Sequence, residues 1–162
     1  MKMLLLGLTL LTVAGAAPAS APKTDGSLAD ATKLVTPSYN CDPHRLYETQ
    51  PLHARLKALL GPDYEAYVSR AAMCGLSVDV VDGKVVAFNY RQHSATVEDS
   101  LLVIDPVTDS LVVKLLVQGK KIYTYEEPGK PLHVPEAFVQ QHWPGAVETP
   151  GRVGVEASPK TR

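Results

Sequence analysis

The chain has 162 residues and a formal net charge of −1 at pH 7, which suggests one globular domain. A charge so close to zero excludes the broad cationic surface with which proteins bind nucleic acid.

The N-terminus has the order of a secretory signal peptide. Lys2 provides a positive charge, residues 4–13 are mostly apolar, and small residues follow as A-G-A-A-P-A-S-A. The apolar stretch is shorter than the roughly 20 residues of a transmembrane helix. We predict a signal peptide over residues 1–21, cleaved after Ala19 or Ala21, and a periplasmic or secreted protein without a stable membrane anchor.

Two cysteines remain after this segment, Cys41 and Cys74. They lack C-x-x-C spacing and a convergent histidine, which argues against a reactive or metal-binding thiol pair. Because export permits disulfides, we predict one structural bridge. Its loop would contribute about 3.8 kcal/mol to stability by chain entropy.

Two segments flank the predicted domain. Residues 22–38 are rich in Pro, Ala, Ser and Thr, and residues 144–162 contain three prolines and three glycines. Neither shows a sustained hydrophobic period, so we predict a flexible leader and a disordered tail around a domain at residues 39–143.

Two helices are predicted at the start of the domain. The first ends at Gly61, and the second begins at Pro62, a residue that suits the first turn of a helix. Their inward-facing residues are Leu52, Leu56, Leu59, Leu60, Tyr64, Tyr67 and Val68.

From Gly75 the apolar period changes to two, and short turns such as Asp82-Gly83 separate the apolar runs. Short links favour an antiparallel meander, because parallel neighbours need long crossovers. A short helix begins at Pro135. We therefore predict an α+β fold in two layers, a five-stranded antiparallel sheet with two N-terminal helices and a short C-terminal helix packed against it. The strands are residues 76–81, 84–90, 100–104, 111–117 and 121–125.

The sequence contains no catalytic motif such as G-x-S-x-G, H-E-x-x-H or a glycine-rich phosphate loop, and its histidines lack zinc spacing. We predict no enzyme, metal site or cofactor. The adjacent carboxylates Glu98-Asp99 are not a general acid/base pair, because consecutive strand residues point to opposite faces, and we interpret them as a solvated strand entrance. Glu126-Glu127 is interpreted as a solvated turn.

The connection Y-R-Q-H-S-A-T, residues 90–96, differs from the other links. It contains neither glycine nor proline and offers several hydrogen-bonding side chains around His93. A loop on a rigid base between buried strands is a common place for recognition residues.

Four segments occur in an order that resembles a known family. They are L-K-A-L-L-G-P-D-Y (56–64), Glu98-Asp99, L-L-V-I-D-P-V-T (101–108) and Q-G-K-K-I-Y-T-Y (118–125). Residues 52–143 thereby resemble the inhibitor of vertebrate lysozyme family. The resemblance implies a non-catalytic periplasmic inhibitor of C-type lysozyme. In that family a loop enters the lysozyme cleft and its histidine meets the catalytic carboxylates.

The loop departs from the family pattern, in which two cysteines close a small disulfide. Tyr90 and Ala95 stand at the cysteine positions, Gln92 replaces a proline and Ser94 replaces an aspartate. Without another source of order, the missing bridge would weaken binding roughly 40-fold, about 2.2 kcal/mol. The resemblance makes the following residues the candidate partner-binding set: Tyr90, Arg91, Gln92, His93 and Ser94.

Two functions remain open. The first is inhibition of C-type lysozyme, and the alternative is a non-catalytic domain of the same fold that recognises another lytic enzyme, an envelope component or a host partner. Family members often form homodimers, a property that the residues themselves do not indicate.

Overall fold

The computed structural model describes residues 26–34, 47–71, 78–91 and 93–150. The predicted signal peptide lies outside these residues, as do Gln92, Cys41 and Cys74, so the predicted disulfide stays a prediction. Within the described ranges, no helix is long and apolar enough to cross a membrane.

The N-terminal helices form one continuous helical segment. Helix α1 spans Leu52–Leu60, a 3-10 turn spans Gly61–Asp63, and helix α2 spans Tyr64–Ala71. Gly61 has a φ of 54° and redirects the chain without a loop. The predicted separation of the two helices is therefore wrong in detail. Most of their predicted inward-facing residues are buried as expected, but Leu59 and Val68 are only partly buried.

The segment before α1 also contributes to the core. Leu28 and Ala31 are buried. Ala31 is the first residue of a short 3-10 helix, Ala31–Leu34, and Leu28 precedes it. Both lie within the predicted flexible leader. The polar composition of that segment concealed two apolar side chains that pack with the helices.

The sheet has six strands in the order β1-β2-β3-β4-β5-β6. The first four pairings are antiparallel, so the meander is confirmed, but β5 and β6 are parallel. The strands are Val78–Val81, Lys84–Tyr90, Asp99–Asp105, Ser110–Val117, Lys121–Glu126 and Val147–Pro150.

The sixth strand corrects the prediction of a purely antiparallel five-stranded sheet. It lies in the proline- and glycine-rich segment that was predicted to be disordered. Helix α3, Glu136–His142, supplies the crossover that a parallel pairing needs. Pro150 is compatible with β6 because β6 is an edge strand, where proline is tolerated.

Helices cover both faces of the sheet, so the prediction of two layers is wrong. Leu102 and Ile104 of β3 pack with α1 and α2, whereas Leu101 and Val103 pack with α3 and Trp143. Every residue of β3 and β4 is buried. A strand buried on both faces has a continuous apolar run, which is the pattern of residues 101–104.

The meander brings alternate connections to the same end of the sheet. The β2–β3 connection and the β4–β5 turn lie at one end, and the β1–β2 and β3–β4 turns lie at the other. The connection that contains His93 therefore has a tight turn beside it.

Candidate functional site

Residues 91–98, here called the histidine loop, join β2 to β3. The ladder between these strands ends at the pair Tyr90–Asp99, and Arg91 N–H donates to Glu98 O at 2.8 Å. Ser94 N–H donates to Arg91 O at 2.9 Å, and Ser94 O accepts hydrogen bonds from the N–H groups of Val97 and Glu98. The loop is therefore a compact turn closed by its own backbone hydrogen bonds, not an extended segment.

Backbone strain is concentrated near the tip of this loop. His93 is exposed and has a φ of 61°, and Thr96 has a φ of 65°. Non-glycine residues are uncommon in this left-handed region, and a β-branched residue there is exceptional. Such conformations cost on the order of 1–3 kcal/mol and persist only when surrounding contacts enforce them.

The first of these contacts is the carboxylate of Asp99. Its two oxygens accept the Thr96 N–H at 3.0 and 3.2 Å, and Oδ2 also accepts Trp143 Nε1–H at 2.8 Å. Asp99 is only 2% exposed, so its interpretation as part of a solvated strand entrance is wrong. Burial raises the pKa of the Asp99 carboxyl, although the hydrogen bonds from Trp143 and Thr96 act to lower it.

The second contact ties the loop to helix α2. Glu98 Oε2 lies 3.1 Å from Arg70 Nη2 and 3.6 Å from Arg91 Nη1. Arg70 is buried and also donates to Ala66 O within its own helix. Burial lowers the pKa of Arg70, and the charge of Glu98 opposes that effect. Glu98 thus connects an exposed loop arginine to a buried helix arginine.

The third contact comes from the β4–β5 turn. Gly119 N–H donates to Val97 O at 2.9 Å, and Gly119 has a φ of 66°. A Cβ atom at Gly119 would lie 2.9 Å from Thr96 O, which is too close. The turn can approach the loop this closely because residue 119 has no side chain.

The predicted site residues share the loop but differ in their surroundings. Tyr90 is half-buried at the end of β2, Arg91 and His93 are exposed, and Ser94 is half-buried and acts through its backbone. Sequence reasoning missed the supporting set. Its members are Arg70, Asp99, Gly119 and Trp143, and the signals for two of them were the acidic pair and the segment around Gly119 in the family pattern.

Aromatic packing holds Trp143 in place beneath the loop. Its ring lies 5.7 Å from that of Phe88, and His142 packs 4.6 Å from Phe88 and 4.5 Å from Phe138. Trp143 itself is 3% exposed. Its indole N–H is therefore a fixed donor for Asp99.

Metal-ligating side chains do not cluster in the described part of the chain. No group of three or more His, Cys, Asp or Glu residues there could hold a metal ion. A cavity of about 250 Å³ between Val81, Val86 and Phe138 has a largely apolar lining and lies apart from the histidine loop.

Comparison with known families gives one match. A family model described as "Inhibitor of vertebrate lysozyme (Ivy)" matches residues 51–147, which is more than half of the chain and includes the histidine loop. Comparison with curated proteins and with solved structures gives no match.

Proposed function

The chain belongs to the inhibitor of vertebrate lysozyme family, and from this premise we propose that it is a periplasmic or secreted, non-catalytic inhibitor of C-type lysozyme. In this proposal the histidine loop enters the active-site cleft of lysozyme, and His93 occupies the space between the two catalytic carboxyl groups. Tyr90, Arg91, Gln92 and Ser94 would line the same contact.

The observation that carries the proposal is an exposed histidine on a loop tied to three other parts of the fold. Loop order that exists before binding reduces the entropy lost on association. Hydrogen bonds and ion pairs from α2, the β4–β5 turn and Trp143 supply such order. The absence of loop cysteines at Tyr90 and Ala95 therefore does not leave the loop without support.

The chemistry of His93 suits the proposed target. Retaining glycosidases carry two carboxyl groups about 5–5.5 Å apart, a distance that an imidazole ring can bridge. A protonated imidazole donates from both ring nitrogens, and neighbouring carboxylates favour its charged form. Arg91 adds an exposed positive charge next to the tip.

Purified mature protein should inhibit C-type lysozyme at micromolar concentration in a turbidity assay of lysing cells. Because His93 would be a buried contact at the centre of the interface, His93→Ala should weaken inhibition about 100-fold, or about 2.7 kcal/mol. His133, also exposed but on the segment before α3, is the matched control, and His133→Ala should leave inhibition unchanged. Absence of inhibition by the wild-type protein would rule out this target.

The altered chemistry of the loop supports one alternative. Gln92 and Ser94 stand where the family pattern has proline and aspartate, so the loop offers different hydrogen bonds beside a retained histidine. The alternative function is recognition of another lytic enzyme, or of an envelope or host partner, through the same loop. His93-dependent inhibition of a different class of muramidase, with none of C-type lysozyme, would favour it.

A further inference from the structure

The buried carboxylate of Asp99 occupies an unusual position between the histidine loop and the C-terminal helix. It accepts one backbone donor from the loop, Thr96 N–H, and one side-chain donor from outside it, Trp143 Nε1–H. Both Asp99 and Trp143 are almost fully buried. Loss of the carboxylate would therefore leave two donors without an acceptor, one of them in a place that water does not reach.

Thr96 is the residue through which Asp99 can act on the tip. It lies three residues after His93 and holds a left-handed conformation that threonine rarely adopts. The two bonds from its N–H to the carboxylate oppose relaxation of that conformation. The backbone of Ser94 then links the two sides of His93. Its N–H donates to Arg91 O before the histidine, and its C=O accepts the N–H groups of Val97 and Glu98 after it.

The energetic balance also separates Asp99 from ordinary core residues. Because burial raises its pKa, the ionised carboxylate costs the folded state some stability above the pKa of the unfolded chain. A residue kept only for core stability would not need a charge there. A carboxylate presents an acceptor oxygen on both sides of the Thr96 N–H, whereas an amide in the same place would turn its NH2 donor towards that N–H in either orientation.

We infer that Asp99, fixed by Trp143, is the positioning residue of the histidine loop. It does not touch the partner, because it is buried, and it holds Thr96 so that His93 is presented in one geometry. In this chain the hydrogen bonds of the carboxylate order the loop, as a covalent bridge between positions 90 and 95 would. The inference rests on the proposed function for its effect on inhibition, but its effect on the loop is independent of any partner.

The same strand provides a matched control at its other end. Asp105 closes the β3–β4 turn by accepting the N–H groups of Val107 and Thr108 at 2.9 and 3.3 Å. It is also buried and makes the same kind of turn-closing contact as Asp99, but at the end of the sheet opposite the loop. Burial acts to raise its pKa, whereas the two N–H groups and Lys84 lower it overall. Asp105→Asn therefore makes the same chemical change without reaching the histidine loop.

The first measurement needs no lysozyme. Amide hydrogen exchange of the free protein should be about tenfold faster at Thr96 and Glu98 in Asp99→Asn than in the wild type. The chain has a single tryptophan, so the indole N–H signal reports directly on the Trp143 hydrogen bond and should shift in the same variant. In Asp105→Asn the exchange rates of Thr96 and Glu98 should stay within twofold of wild type, and the indole N–H signal should not shift. Unchanged loop exchange in Asp99→Asn would overturn the inference.

The second measurement is inhibition of C-type lysozyme. Asp99→Asn should weaken it about tenfold, whereas Asp105→Asn should not weaken it, even if its melting temperature falls further. In a His93→Ala background, Asp99→Asn should weaken inhibition further by less than twofold, because the side chain that Asp99 positions is gone. Equal effects with and without His93 would show a general loss of stability and overturn the positioning role. If the wild type does not inhibit, the proposed function fails, while loop exchange still decides whether Asp99 orders the loop.

Discussion

At the scale of single residues, Thr96 shows where strain is stored for the sake of loop shape. Its φ of 65° is a conformation that glycine adopts freely and threonine does not. Thr96→Gly should raise the free energy of unfolding by about 1 kcal/mol, since relief of strain exceeds the extra backbone entropy of glycine in the unfolded chain. Urea unfolding measures the difference.

Thr108 is the control for this substitution. It lies in the β3–β4 turn, where its hydroxyl is 2.7 Å from that of Ser110 and its φ is not positive. Thr108→Gly should therefore lower the free energy of unfolding by about 1 kcal/mol. If both substitutions destabilise the protein equally, the backbone of Thr96 is not strained.

The residues of the site differ in how far the sequence could reveal them. The place of His93 could be predicted, because a polar connection between two apolar strands is a local pattern. Asp99 could not, since its burial depends on an indole 44 positions later in the chain. Two adjacent carboxylates in a sequence look solvated, and nothing local indicates that one of them has buried donors.

At the scale of elements, the β4–β5 turn supports the loop from the side. Gly119→Ala would place a Cβ atom 2.9 Å from Thr96 O and would also strain a backbone with a φ of 66°. Gly83 in the β1–β2 turn has a φ of 76°, and a Cβ atom there would meet nothing within 4 Å. The pair of glycines therefore separates backbone strain from contact with the loop.

Gly83→Ala should lower the free energy of unfolding by about 1 kcal/mol, and Gly119→Ala by about 1 to 2 kcal/mol more. Only Gly119→Ala should also weaken lysozyme inhibition, because only this turn touches the loop. Chemical unfolding and the turbidity assay check the two parts. Equal losses in both variants would show that the contact between turn and loop contributes nothing.

The elements that the sequence predicted are those with local signals. The strands from Val78 to Glu126 follow from alternating apolar residues and short turns, and their pairing order follows from the short links. β6 has no such signal, since its pairing depends on the helix that returns the chain to the sheet and on the edge that β5 leaves open. Leu28 was missed for a related reason, because a single apolar residue shows no period.

At the scale of the whole molecule, one cluster of charges joins distant parts of the chain. Arg55 of α1 is buried and donates to Asp109 in the β3–β4 turn at 2.6 Å and to Glu127 after β5 at 2.8 Å. Asp109 also accepts Leu28 N–H at 2.7 Å and Lys130 Nζ at 2.8 Å. The interpretation of Glu127 as part of a solvated turn is wrong, because its side chain is only 15% exposed.

The cluster should make stability depend on pH in a defined direction. Burial acts to raise the pKa of Asp109, but Leu28 N–H, Lys130 and Arg55 lower it well below its ordinary value. A carboxyl with a depressed pKa contributes its full stability above the ordinary value of about 3.9, and this contribution is lost as the pH falls through the depressed pKa. Protonation in acid should therefore loosen α1, the β3–β4 turn and the segment around Leu28 together.

Asp109→Asn tests this directly, because asparagine tolerates the positive φ of 51° at this position. Since Asp109 is about one-third exposed, its bonds are discounted for solvent, and the variant should lose about 2 kcal/mol at pH 7. The loss should stay constant to about pH 5 and shrink below it, as the unfolded wild-type chain takes up a proton at Asp109. Asp79→Asn, on the exposed side of β1, should differ from wild type by less than about 0.5 kcal/mol throughout. Urea unfolding at pH 7, 5 and 3 measures these differences, and a loss that persists unchanged at pH 3 and below would show that the charge of Asp109 does not hold the cluster together.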